Sequence, residues 1–156
     1  MEALNRLRAE LGPAVRAHQR AVDAVDEATA DALGVNRTDL RCLDLLLESG
    51  ALAPSRLSAE LELSTGSVTT MLDRLERLGY VTRSPDPEDR RKVVIRATDA
   101  VREKADAVYG PIAADGAEAV AGYSAAELET VLDFLNRDRA RQERHAARIR
   151  NLTTRM

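Results

Sequence analysis

Apolar residues recur at spacings of three and four along most of the chain, which predicts a mainly helical protein. The longest such segment covers residues 3–33, where Gly12-Pro13 is expected to introduce a kink or to separate a short lead helix. Three shorter helices are predicted next, each marked by a capping or stop residue. Their expected limits are Thr38 to Ser49-Gly50, Ser55 to Leu61 after Pro54, and Ser64 to Gly79, the last with a buried stripe of Val68, Met71, Leu72, Leu75 and Leu78.

The period then changes to that of short strands. Tyr80–Arg83 and Lys92–Arg96 are rich in Val and Ile, and the polar segment Ser84–Arg91 between them contains two prolines. This pattern predicts a β-hairpin with a long, charged loop at its tip.

Two further helices are predicted after the hairpin. The first starts at Thr98 or Asp99 and ends at Gly122, and Gly110-Pro111 should kink or break it. The capping box Ser124-Ala-Ala-Glu127 opens the last helix, which is expected to continue to about residue 150. The fold class is therefore mainly α with a small β-hairpin.

Composition and charge narrow the classes of protein. Of 156 residues 31% are charged and 3% aromatic, with a net charge of −3 that gives no hint of nucleic acid. The charge is uneven, since 64–98 and 137–156 are net basic while 99–136 is strongly acidic. A single cysteine excludes an intramolecular disulfide framework, and the lack of an 18-residue apolar run predicts a cytoplasmic chain without membrane contact. We find no catalytic motif, metal cluster or phosphate loop, so neither an enzyme nor a cofactor is predicted.

Two helices joined by a tight turn and followed by a hairpin form the winged helix-turn-helix arrangement. A helix fits the DNA major groove, and a basic hairpin tip can reach the adjacent minor groove or backbone. The alternatives are a plain amphipathic surface helix and a hairpin whose charged turn is simply solvated. The candidate DNA-binding residues are Thr65, Ser67, Thr69, Thr70, Arg74 and Arg77 on the helix, with Arg74 as guanine reader or phosphate clamp, and Asp89, Arg90 and Arg91 at the tip.

The stretch Leu57–Arg83, followed by Asp89-Arg-Arg and Thr98, resembles the MarR (multiple-antibiotic-resistance regulator) family, with the similarity covering residues 38–98. The resemblance implies a homodimeric winged-helix repressor or activator, with Thr65–Arg77 in the major groove and the hairpin, the wing, in the minor groove. It also implies that Asp89 orients Arg91, which inserts. Where such proteins usually carry a glycine after the wing, this chain has Thr98-Asp-Ala-Val101.

A dimer is also expected because the apolar stripe of the first helix is too long for a 60-residue winged domain to cover. We therefore predict dimerisation helices over 1–35 and 99–156, a DNA-binding domain over 36–98, and an inverted-repeat operator. The predicted dimerisation residues are Leu4, Leu7, Leu11, Leu128, Val131, Leu132, Leu135 and Ile149.

Three single residues have an inert and a functional interpretation. Cys42 lies among leucines and is expected to pack rather than to sense oxidants. His18 and His145 are expected to be hydrogen-bonded interface residues, although a zinc or pH-sensing role is conceivable. A small-molecule effector is consistent with the resemblance, but no residue identifies it. The leading hypothesis is a sequence-specific DNA-binding transcriptional regulator that acts as a repressor, and the alternative is a winged-helix protein-interaction module without DNA binding.

Overall fold

The computed structural model describes residues 1–87 and 89–153 of the chain. Within these described residues, six helices and three short strands follow one another along the sequence. Their bounds are α1 Glu2–Leu33, α2 Arg37–Ser49, β1 Ala51–Leu52, α3 Pro54–Leu61, α4 Thr65–Arg77, β2 Val81–Pro85, β3 Val93–Ala97, α5 Asp99–Val120 and α6 Ala125–Thr153.

The predicted fold class, mainly α with a β-hairpin wing, is confirmed. The sheet has the order β1-β3-β2 and is antiparallel throughout, with Val81 opposite Ala97 and Pro85 opposite Val93. The two-residue strand β1 was not predicted, because Ala51-Leu52 is too short to show a period. The prediction of a loop from Ser84 was wrong for Ser84 and Pro85, which belong to β2.

The ends of the helices follow local capping chemistry. The N-cap of α2 is Asn36 and not Thr38 as predicted, because the Asn36 side chain accepts the Asp39 N–H at 2.9 Å. Gly79 has a positive φ of 73° after α4, and the Tyr80 N–H donates to the Leu75 carbonyl at 3.0 Å. This turn carries Leu78 out of the apolar stripe, so Leu78 is exposed, contrary to the prediction.

The two prolines inside helices do not end them. Pro13 lies within α1 and Pro111 within α5, so neither a separate lead helix nor a break at Gly110-Pro111 forms, and a kink at each proline stays a prediction. A helical proline leaves the carbonyl four residues earlier without its usual donor. Ala9 and Ala107, which carry those carbonyls, are both exposed, so water can replace the missing donor.

The chain divides into two compact units, Met1–Tyr109 and Gly110–Met156. The first contains a continuous core beneath α2, α3, α4 and the sheet. Its largest fully buried side chains include Leu43, Leu46, Leu57, Leu72, Leu75 and Ile95. Within the second unit, the capping box is confirmed, because Ser124 N–H donates to the Glu127 carboxylate at 2.8 Å. Among the described residues, no helix is both long and apolar enough to cross a membrane.

Candidate nucleic-acid interface

Helix α4 has a buried side and a polar side. Ser64 caps its first turn by accepting the Ser67 N–H at 3.2 Å, and its apolar residues enter the core. Since α4 is thereby anchored along one side, its other side is available to a binding partner. The exposed residues are Thr65, Gly66, Ser67, Thr69, Thr70, Asp73, Glu76 and Arg77.

The hydroxyl groups on this face are held by the helix itself. Thr69 donates to the Thr65 carbonyl at 3.0 Å, and Thr70 donates to the Gly66 carbonyl at 3.1 Å. A hydroxyl that donates within the helix keeps its lone pairs as acceptors. This face can therefore accept hydrogen bonds from the amino groups that cytosine and adenine present in the major groove.

Arg74 differs from the other predicted contact residues because its guanidinium group is engaged inside the protein. Its Nε donates to Asp39 Oδ2 at 2.7 Å, and its Nη2 donates to Asp39 Oδ1 at 2.5 Å. The Asp39 side chain is fully buried, and these hydrogen bonds raise the pKa of Arg74. Sequence analysis missed Asp39 because an acid in the first turn of a helix is common for reasons of helix dipole alone.

Arg83 connects the wing to α4. This β2 residue donates through Nη2 to Asp73 at 2.6 Å and through Nη1 to Glu76 at 2.7 Å. Both acids lie on the exposed side of α4, where unpaired carboxylates would repel phosphate. Arg83 thus neutralises the acidic part of this face and connects β2 to it. Sequence analysis quoted Arg83 within the family-like stretch but gave it no role.

The wing turn is organised around the carboxylate of Asp89. Its Oδ1 accepts the backbone N–H of Arg91 at 3.1 Å, and its Oδ2 lies 3.6 Å from the Lys92 ammonium. The Asp86 N–H closes the turn on the Lys92 carbonyl at 2.8 Å. The Asp89 carboxylate therefore contacts the main chain of Arg91 and forms an ion pair with Lys92. The expected orientation of Arg91 by Asp89 implied a contact between the carboxylate and the guanidinium group.

Arg90 and Arg91 are exposed at this tip. Among the residues that the structure describes, no carboxylate forms an ion pair with either guanidinium group. Arg77 is also exposed, and its Nε donates a hydrogen bond to the Asp73 carbonyl at 3.2 Å. The wing therefore presents the positive charges of Arg90 and Arg91 to solvent, and it directly follows the polar face of α4 along the chain.

The residues considered for a sensing role are Cys42, His18 and His145. Cys42 is fully buried, and burial, followed by the charge of Asp39, raises its pKa to about 12, so the thiol is protonated at neutral pH. His18 and His145 are both exposed. Within residues 1–87 and 89–153, no group of His, Cys, Asp and Glu is arranged to hold a metal ion.

The predicted dimerisation residues are largely solvent-exposed in the single chain. Leu7 is 58% exposed and Leu132 59% exposed, while Leu128 is half-buried. The remaining residues of the set that are exposed are Leu4, Leu11, Val131, Leu135 and Ile149.

Comparison with known proteins shows which family has this arrangement. The MarR family profile matches residues 35–93. An uncharacterized HTH-type transcriptional regulator of Bacillus subtilis, YcgE, is 39% identical over 111 residues, which are 71% of this chain and 72% of the relative.

Solved structures agree in fold. A MarR family protein from Bacillus stearothermophilus superposes with a TM-score of 0.67 at 23% identity, over 89% of this chain and 97% of that one. The apo form of MarR from E. coli gives a TM-score of 0.56 at 25% identity, over 81% and 94% of the two chains. The chain belongs to the MarR family of DNA-binding transcriptional regulators, which are not enzymes.

Proposed function

We propose that the protein is a homodimeric, sequence-specific repressor that binds an inverted-repeat operator with α4 in the major groove and the wing in the minor groove. The observation that carries this proposal is the polar face of α4, which is followed directly by a wing with Arg90 and Arg91 exposed. Both features belong to the compact unit Met1–Tyr109, so a single unit can present them together. The whole-chain charge of −3 does not oppose this role, because local charge decides the approach to DNA.

Dimerisation is supported by the exposed apolar side chains of α1 and α6. Leu4, Leu7 and Leu11 repeat on one side of α1, and Val131, Leu132 and Leu135 form a comparable cluster on α6. Exposed apolar patches of this kind mark interaction surfaces, since burial contributes about 25 cal/mol per Å². We assign 1–35 and 99–156 to the dimerisation region and 36–98 to DNA binding.

The wing is tested by Arg91→Ala. We expect about tenfold weaker binding to an operator duplex, because each of the two subunits loses one phosphate-proximal cation. The magnitude of the slope of log affinity against log salt should fall by about 1.8, at about 0.9 per cation. Gel-shift titrations at several salt concentrations measure both quantities, using a duplex selected from genomic fragments with the wild-type protein.

Arg137→Ala provides the matched control, because Arg137 is an exposed arginine of α6 on the side away from Leu132 and Leu135. It should leave affinity and salt slope close to those of the wild type. Wild-type affinity in Arg91→Ala would contradict the wing assignment. A wild-type protein that shows no salt-dependent duplex binding at all would favour the protein-interaction module instead.

We also propose that a small-molecule effector releases the protein from DNA. A cleft of about 280 Å³ lies between α2 and the first half of α5, lined by Leu47, Arg102, Ala105, Asp106 and Tyr109. A ligand in such a cleft can shift the protein between conformations only if it binds one of them more tightly. We expect Ala105→Trp, which fills the cleft, to abolish effector-induced release of DNA while DNA binding persists. Fluorescence anisotropy with a compound found by thermal-shift screening measures this, and undiminished release would place the effector elsewhere.

A further inference from the structure

The ion pair between Asp39 and Arg74 joins the first helix of the helix-turn-helix unit to α4. Asp39 is fully buried, and 38% of the Arg74 side chain is exposed. Both Asp39 oxygens accept a hydrogen bond from the guanidinium group, at 2.7 Å and 2.5 Å. Such bidentate pairing fixes the direction of two side chains as well as their distance.

Besides the exposed ion pairs of Asp73 and Glu76 with Arg83 of β2, the contacts of α4 are of a different kind. Val68, Met71, Leu72 and Leu75 anchor the helix in the core through apolar contacts, and its main neighbours are α3 and β2. Hydrophobic burial is non-directional, so it holds the helix against the core without strictly fixing its rotation or its shift along its axis. The Asp39–Arg74 pair supplies a directional contact to α2, 35 residues earlier in the chain.

Asp39 is itself firmly placed. Its N–H donates to the Asn36 side chain at 2.9 Å, and the first turn of a helix favours a negative charge. Two residues earlier, Arg37 bonds to Asp23 at 3.2 Å and to Asp26 at 3.3 Å, both on α1. The first turn of α2 is therefore fixed to α1 on one side and to α4 on the other.

We propose that Asp39 is a positioning residue for DNA recognition, which sets α4 through Arg74, and that Arg74 is not a reader of bases. This inference rests on the proposed placement of α4 in the major groove. Reading base edges requires side chains to be held to within a fraction of an ångström, so a helix free to rotate slightly would keep its phosphate attraction and lose discrimination.

The decisive variant is Asp39→Asn, because the competing explanations predict opposite signs. Removal of a negative charge from a DNA-binding domain should strengthen duplex binding by simple electrostatics. Release of Arg74 to read a base should strengthen it too. A positioning role predicts about tenfold weaker binding to the selected operator duplex, while affinity for a scrambled duplex of equal composition stays equal to or slightly above that of the wild type.

Glu60→Gln is the matched control, since it removes an exposed carboxylate of α3 from the same domain. It should bind both duplexes as well as or slightly better than the wild type. Binding is measured by fluorescence anisotropy well below the midpoint of thermal unfolding, so that a loss of stability alone does not change the result.

Should Asp39→Asn fail to fold, Arg74→Lys answers the same question, because lysine keeps the positive charge and cannot form the bidentate contact with Asp39. It should lose the preference for the operator without a change in salt slope. Operator binding by Asp39→Asn that equals or exceeds the wild type overturns the positioning role while the proposed function stands. An Arg74→Lys protein whose altered preference is confined to one base pair also overturns it. Absence of salt-dependent binding in the wild type removes the proposed function and this inference together.

Discussion

Leu132→Asp is expected to convert the protein into a monomer and to weaken its binding to an operator duplex at least about 100-fold. In the proposed homodimer, binding of one DNA-binding domain to its half-site places the second at a high effective concentration near the other half-site. Separation of the subunits removes that advantage. Leu132 lies in the exposed apolar cluster of α6 and is 59% exposed in the single chain. Burying a carboxylate against apolar groups of a second copy is too costly to be tolerated.

Sedimentation velocity and gel-shift titration measure the two parts of this prediction. Thr130→Asp is the control, because it adds the same charge to the same helix on the side away from Leu132, at an exposed position. It should remain dimeric and bind DNA close to the wild-type level. A dimeric Leu132→Asp protein would show that α6 contributes little to the subunit interface.

Arg83→Ala is expected to weaken duplex binding about tenfold, and neutral substitutions of its two partners are expected to restore it. Loss of Arg83 leaves Asp73 and Glu76 unpaired on the exposed side of α4. Each carboxylate at about 8 Å from a phosphate would cost about 0.5 kcal/mol in water, and this cost adds up over the carboxylates of both subunits. The variant Arg83→Ala/Asp73→Asn/Glu76→Gln removes those charges and should therefore recover most of the wild-type affinity.

The pattern of recovery distinguishes two roles of Arg83. If the guanidinium group touched a phosphate directly, the neutral substitutions would strengthen the wild type and Arg83→Ala by the same factor, and the salt slope would fall with Arg83→Ala. Anisotropy titrations of all four proteins, including Asp73→Asn/Glu76→Gln, provide the complete cycle. Equal factors in the two backgrounds would contradict the masking role.

The main elements could be predicted because their signals are local. The α4 stripe from Val68 to Leu75, the stop at Gly79 and the capping box at Ser124 depend on residues within one or two helical turns, and each was placed correctly. The predictions failed for the N-cap at Thr38, for a helix break at either proline and for the burial of Leu78. In each of these cases the outcome depends on which neighbouring group accepts a hydrogen bond or on where water can reach.

The candidate site was predicted only in part. The order of helix, turn, helix and hairpin, together with the residues of the exposed helix face, was visible in the sequence. The sequence did not show that Arg74 pairs with Asp39 or that Arg83 pairs with Asp73 and Glu76. A surface arginine that can bind DNA and one that bonds to an internal carboxylate look the same in a sequence.

By itself, then, the sequence determined the kind of protein, because hydrophobic period, caps and turns act over a few residues and together specify a winged helix-turn-helix. Only the tertiary structure decided the use of its charges. Ion pairs such as that of Asp39 with Arg74 join residues 35 positions apart, and their formation depends on packing that no local pattern records.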